Sequence, residues 1–109
     1  QQRREAQRKM DLDRQDAREV QAREARLERL AKDNRLGRAH GGHARWYYER
    51  RDDMLGYLSP DDATVRLLEA GQAAIVQGAE QPEGFVVSAD IAKRMSDEDI
   101  RWIRFWNQK

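Results

Sequence analysis

Apolar residues are thinly spread over residues 1–36 and crowd together only beyond residue 44. The first segment holds neither Gly nor Pro and is built mainly from Arg, Glu, Gln, Ala and Leu. All of these are good helix formers. Glu5–Lys9, Glu19–Arg23 and Glu28–Lys32 are spaced i,i+4 with the acid first, each worth about 0.2–0.5 kcal/mol. The pattern predicts a helix on the order of 50 Å long at about 1.5 Å per residue, with Gly37 as its C-cap. A heptad register with Ala6, Asp13, Val20, Leu27 and Asn34 at a, and Met10, Ala17, Glu24 and Ala31 at d, gives a thin, alanine-rich seam. The apolar residues improve toward Val20, Leu27, Leu30 and Ala31. A coiled coil or lateral packing against a partner is therefore the reading for this helix, set against a solvated helix held by its own ion pairs.

Residues 37–43 read Gly-Arg-Ala-His-Gly-Gly-His, a clear break taken as a hinge. Ala44, Tyr47, Tyr48, Leu55 and Leu58 fall at helical spacing and predict a second helix over 44–58. Ser59-Pro60-Asp61-Asp62 reads as a helix start with Ser59 as N-cap. The helix it opens carries Val65, Leu68, Ile75 and Val76 and stops near Gly78, with Gly71 bending or shortening it. A loop follows over 79–84, and Phe85-Val86-Val87 is the one strand-like run. Ser88 and Ser96 read as caps of two further helices, the last reaching about Gln108. Winding that last helix at 100° per residue gathers Ile100, Trp102, Ile103, Phe105 and Trp106 on one arc. The predicted class is all-α: an extended charged helix (1–36), a Gly-rich hinge (37–43) and a small domain of three to four helices (44–109).

Composition sharpens this picture. Charged residues make up 38% of the 109 and apolar residues 39%, too polar a mixture to wrap wholly around one core. Net charge is only +1, so no strong field draws the chain to nucleic acid or a membrane. No apolar run approaches the roughly 18 residues of a membrane-crossing helix. The first residue is Gln1 rather than Met, as expected of a processed product or a piece of a longer chain.

Candidate chemistry is sparse. The chain has no cysteine and two histidines, His40 and His43. A His-x2-His pair is half of a metal site at best, and the Gly-rich turn around it lacks the Gly-Lys-Ser/Thr ending of a phosphate loop. Asp61-Asp62 and Asp97/Asp99 sit where helix N-termini favour acids. No catalytic, metal or cofactor residue is therefore assigned, and the chain is read as a non-enzyme. Arg45-Trp46-Tyr47-Tyr48-Glu49-Arg50-Arg51 interleaves bases and aromatics, a pattern that suits a helical core with overlying arginines and also suits stacking on nucleic acid.

The functional expectation is a structural or adaptor protein. It would dock by helix packing into a larger multisubunit assembly such as a viral particle or secretion-type complex. Its interface residues would be Val20, Leu27, Leu30, Trp102, Ile103, Phe105 and Trp106, facing copies of the same chain or other subunits. The alternative is a helical nucleic-acid-binding protein using Arg45, Arg50, Arg51 and the N-terminal arginines.

Overall fold

The computed structural model describes the backbone of residues 2–37 and 40–107, and side chains from Ala17 onward. The side chains of the Glu5–Lys9 pair and of the early heptad positions, together with Gln1, Arg38, Ala39, Gln108 and Lys109, lie outside what is described. The element order is helix α1 (Gln2–Asp33), strands β1 (Trp46–Glu49) and β2 (Leu55–Leu58), helix α2 (Asp62–Glu69), strands β3 (Ala73–Val76) and β4 (Phe85–Ser88), helix α3 (Ala89–Glu98), a 3-10 turn (Ile100–Trp102) and strand β5 (Ile103–Trp106). The class is thus mixed α/β with two antiparallel sheets, not all-α.

Three local causes explain the correction. The segment read as a helix over 44–58 is the β1–β2 hairpin, with Trp46 opposite Leu58 and Glu49 opposite Leu55. Its turn is a three-residue loop: Arg50 N–H donates to Met54 O at 2.8 Å and Asp53 N–H to Arg50 O at 3.1 Å. Asp53 closes it in the left-handed region, at φ 63°, the position that normally takes Gly. Replacing Asp53 with Gly is expected to stabilise the fold by about 0.5–1 kcal/mol in urea titration.

The helix read as running to Gly78 ends at Glu69 instead. Gly71 adopts φ 76°, Gln72 N–H donates to Leu67 O at 2.9 Å, and Gly71 N–H to Leu68 O at 3.3 Å. This is a Schellman stop, and a Cβ on Gly71 would lie 2.2 Å from Asn107 O. The N-cap is Asp61 rather than Ser59; it accepts from Thr64 N–H at 2.8 Å. Hydrogen bonds from the Thr64 side chain and backbone hold the Asp61 carboxyl below its usual range. Freed of the helix, Ala73–Val76 becomes a central strand buried along its whole length.

The C-terminal aromatic stretch is a strand, not a helix. β5 pairs Ala74 with Trp106, Ile75 with Phe105 and Val76 with Ile103, so an irregularity skips Arg104. That bulge sends Ile103 and Trp106 to one side and Phe105 to the other.

The β4–β3–β5 sheet separates two apolar clusters. On one side Leu27 and Ala31 of α1 join Ala74, Val76, Val87, Ala92, Met95 and Trp102, with Leu30, Ile103 and Trp106 against them. On the other, Tyr48, Leu58 and Leu68 meet Ala73, Ile75 and Val86, with Trp46 and Phe105 alongside. Trp46 and Phe105 touch edge to face at 5.1 Å, which seats the hairpin. The coiled-coil reading of α1 is corrected by the same packing: Leu27 and Ala31 are fully buried against the chain's own sheet.

Candidate interaction surface

Alternation along the hairpin decides which side chains face water. In β1 the odd positions Tyr47 and Glu49 are exposed while Tyr48 is buried. In β2, Leu55 and Tyr57 are exposed while Leu58 is buried. Tyr47 sits directly opposite Tyr57 and Glu49 opposite Leu55, so these four share the outer face. Leu55 is 72% exposed, Tyr47 52% and Tyr57 42%; Met54, at the turn, is 63% exposed. The rings of Tyr47 and Tyr57 lie 5.9 Å apart at 54°. The Arg45 guanidinium rests over the Tyr57 ring at 4.8 Å, and the His40 ring meets its edge at 5.8 Å. Outside this patch, the large apolar side chains left more than a third open are Val20 and Ile100, among the described residues.

The inner face holds the hairpin down. Tyr48 is buried, and its hydroxyl accepts from Gly84 N–H at 2.9 Å. Burial pushes the Tyr48 phenol above its usual range, against the opposing pull of the Gly84 contact. His40 pairs with Glu83 across the molecule, tying the Gly-rich segment to the loop before β4. Both partners are substantially open to solvent. No group of three metal-ligating side chains occurs among the described residues. His43 is exposed.

The residues expected to dock have unequal fates. Val20 is exposed; Leu27 and Trp102 are fully buried inside the chain; Leu30, Ile103, Phe105 and Trp106 are partly buried and pack onto the two clusters. Trp106 donates its indole N–H to Gly71 O at 3.1 Å. The three arginines considered for nucleic acid are dispersed. Arg45 lies on the aromatic face. Arg50 pairs with Asp52 at 3.1 Å. Arg51 turns inward, 3.5 Å from both Glu24 Oε1 and Gln77 O.

Glu24 joins the helix to the rest of the molecule. Its Oε2 accepts from Trp102 Nε1–H at 3.0 Å and its Oε1 from Ala79 N–H at 2.7 Å. Sequence reasoning placed Glu24 as a flaw in a heptad seam, because nothing local announces partners 55 and 78 residues away. Met54, Leu55, Tyr47 and Tyr57 were missed as exposed residues because a helical period was imposed on them. The available signal was the two-residue alternation of Trp-Tyr-Tyr-Glu and Leu-Gly-Tyr-Leu around a polar turn.

Comparison with protein-family models, curated proteins and solved structures finds no match to this chain. No helix among the described residues is long and apolar enough to cross a membrane.

Proposed function

We propose that this chain is a non-enzymatic docking module of a larger assembly, and that it docks through the outer face of the β1–β2 hairpin. The observation that carries the reading is the concentration of Tyr47, Met54, Leu55 and Tyr57 in one exposed patch. Scattered single apolar residues need no explanation, whereas a contiguous aromatic-aliphatic patch marks an interaction site. Tyrosine and arginine are favoured where one surface meets another, and Arg45 stacked on Tyr57 presents both together. The aromatic residues of the C-terminal stretch serve the chain's own core, so the contact passes to the hairpin.

A second reading has one observation behind it: two open tyrosine rings and one arginine form a stacking platform for single-stranded nucleic acid. Glu49 on the same face and Glu83 beside His40 oppose it, and the other two arginines are engaged elsewhere.

The test is site-specific photo-crosslinking in the native host, from a benzophenone residue at Tyr47 and, as control, at Ile100, which is 67% exposed and belongs to the 3-10 turn rather than to the hairpin. A discrete adduct of one mass is expected from position 47, diminished at least tenfold by Leu55→Arg, and none from position 100. Equal adducts from both positions, or none from position 47, would overturn the docking reading. Retention of labelled oligonucleotide at low salt, lost on Tyr47→Ala, would favour the second.

A further inference from the structure

The hairpin has a free edge as well as a free face. Arg50 and Met54 form a hydrogen-bonded pair at the turn. In an antiparallel ladder such pairs alternate with pairs whose backbone groups point away from each other. Counting along the register, Tyr48–Gly56 and Trp46–Leu58 are bonded pairs, while Glu49–Leu55 and Tyr47–Tyr57 are not. The N–H and C=O of Leu55 and Tyr57 therefore point outward from β2. Among the described residues strand β2 has β1 as its one partner, and no other backbone group bonds to these four; the next outward carbonyl along the edge, Ser59 O, accepts from Gly42 N–H at 2.7 Å, so the open stretch ends at Tyr57.

A groove of about 460 Å³ runs beside that edge, lined by Leu55, Gly56 and Tyr57 together with Tyr48, Arg50 and Glu83. The face of β2 at Gly56 is occupied by neighbours: a Cβ there would lie 2.8 Å from the Arg50 side chain and 3.3 Å from the Tyr48 ring. Arg50 is thus held against the strand: its Nη2 pairs with Asp52 at 3.1 Å, and its buried Nε has no hydrogen-bond partner among the described residues.

We propose that this edge takes an extended peptide of a partner protein as a third strand of the hairpin sheet, with apolar side chains lying beside Leu55 and Tyr57 and an acidic side chain sharing the Arg50 guanidinium with Asp52. The proposal rests on the hairpin being the docking element and names what it docks. Outward backbone donors and acceptors in alternation are complementary to another extended backbone. β2 spans four residues, about 13 Å at roughly 3.3 Å per residue, so the added strand is about as short. Area argues against a second copy. Tyr47, Met54, Leu55 and Tyr57 are each only partly open, and an aromatic offers on the order of 150–250 Å² when wholly buried. The patch therefore falls short of the roughly 800 Å² per partner of a stable interface.

The experiment titrates the ¹⁵N-labelled full chain with capped hexapeptides of alternating Thr and Val, one carrying a central Glu and one a central Lys, with an N-methylated version of each. The expected result is a shift and slowed exchange of the Leu55 and Tyr57 amides. Affinity should be at least tenfold weaker for N-methylated peptide and for the Leu55→Pro variant, and weaker for Lys than for Glu. Proline is tolerated at the first residue of an edge strand; should that variant not fold, the N-methylated peptide decides alone. Protection of both amides in the free chain, no shift at them with millimolar peptide, or indifference to N-methylation would overturn the edge proposal. Concentration-dependent protection without peptide would instead indicate self-pairing and overturn it too. If the photo-crosslink from Tyr47 survives in Leu55→Pro, the face still docks and only the edge proposal fails.

Discussion

Truncating Trp102 to alanine is expected to lower stability by about 3–5 kcal/mol, the usual cost of removing a fully buried large aromatic. Trp102 is completely enclosed. It packs among Leu27 and Ala31 of α1, Val76 and Val87 of the sheet, and Met95 of α3. Its ring lies so close to Gly78 that a Cβ there would come within 2.7 Å. Its backbone is held as well, with Gln77 N–H donating to Trp102 O at 3.0 Å. Small domains retain only about 5–15 kcal/mol of net stability, so the variant should unfold near the bottom of that range. Equilibrium urea denaturation measures it. A loss below 1 kcal/mol would show that the indole is not enclosed by its own chain, and would return it to the role of a docking anchor.

Glu24→Ala is the second large effect. The carboxylate receives the Trp102 indole N–H and the Ala79 backbone N–H and lies 3.5 Å from Arg51. Removing it leaves two donors in the wall of the core with no protein acceptor, at about 1–3 kcal/mol each when buried. Ala79 is exposed and water can reach it, so the expected total is about 2–3 kcal/mol. The loss should be local in character, because Glu24 fastens α1 to the C-terminal half of the chain. Amides around Leu27 should then exchange faster by a factor comparable to the global change, with Leu68 lagging behind. Glu24→Gln keeps one acceptor oxygen and should cost roughly half as much. If Glu24→Ala speeds exchange at Leu27 and Leu68 equally, the helix is not separately fastened.

The sequence was most legible where the signal is local. Residues 2–33 lack Gly and Pro, and the Glu28–Lys32 pair forms at 2.9 Å. Ser88 accepts from Ile91 N–H at the start of α3. The strands were obscured for reasons that can be named. Each is four residues long, so whatever two-residue alternation it carries is easily overridden by a competing helical count. Ala73–Val76 is buried on both faces and has no alternation to show. In β5 the skipped Arg104 breaks the alternation and leaves Ile103, Phe105 and Trp106 looking like one side of a helix. Asp53 concealed the turn, because a left-handed position is usually announced by Gly.

The candidate site was hidden by the same error of period. A helical count mixes Tyr47 with Tyr48 and Leu55 with Leu58, whereas the strand separates each pair into an exposed and a buried residue. The aromatic C-terminal stretch promised an exposed anchor for lack of visible cover. Its cover is the sheet and the end of α1, brought there by long-range packing that no local pattern records.

Which apolar residues the folded chain leaves for a partner is measured most directly by paramagnetic relaxation from a soluble nitroxide, read at side-chain signals. Tyr47, Met54, Leu55 and Tyr57 should broaden together while Trp102, Leu27 and Leu58 stay sharp. Broadening of Trp102 and Leu27 with a protected hairpin would contradict this assignment and place the docking surface on the helix and the C-terminal aromatics instead.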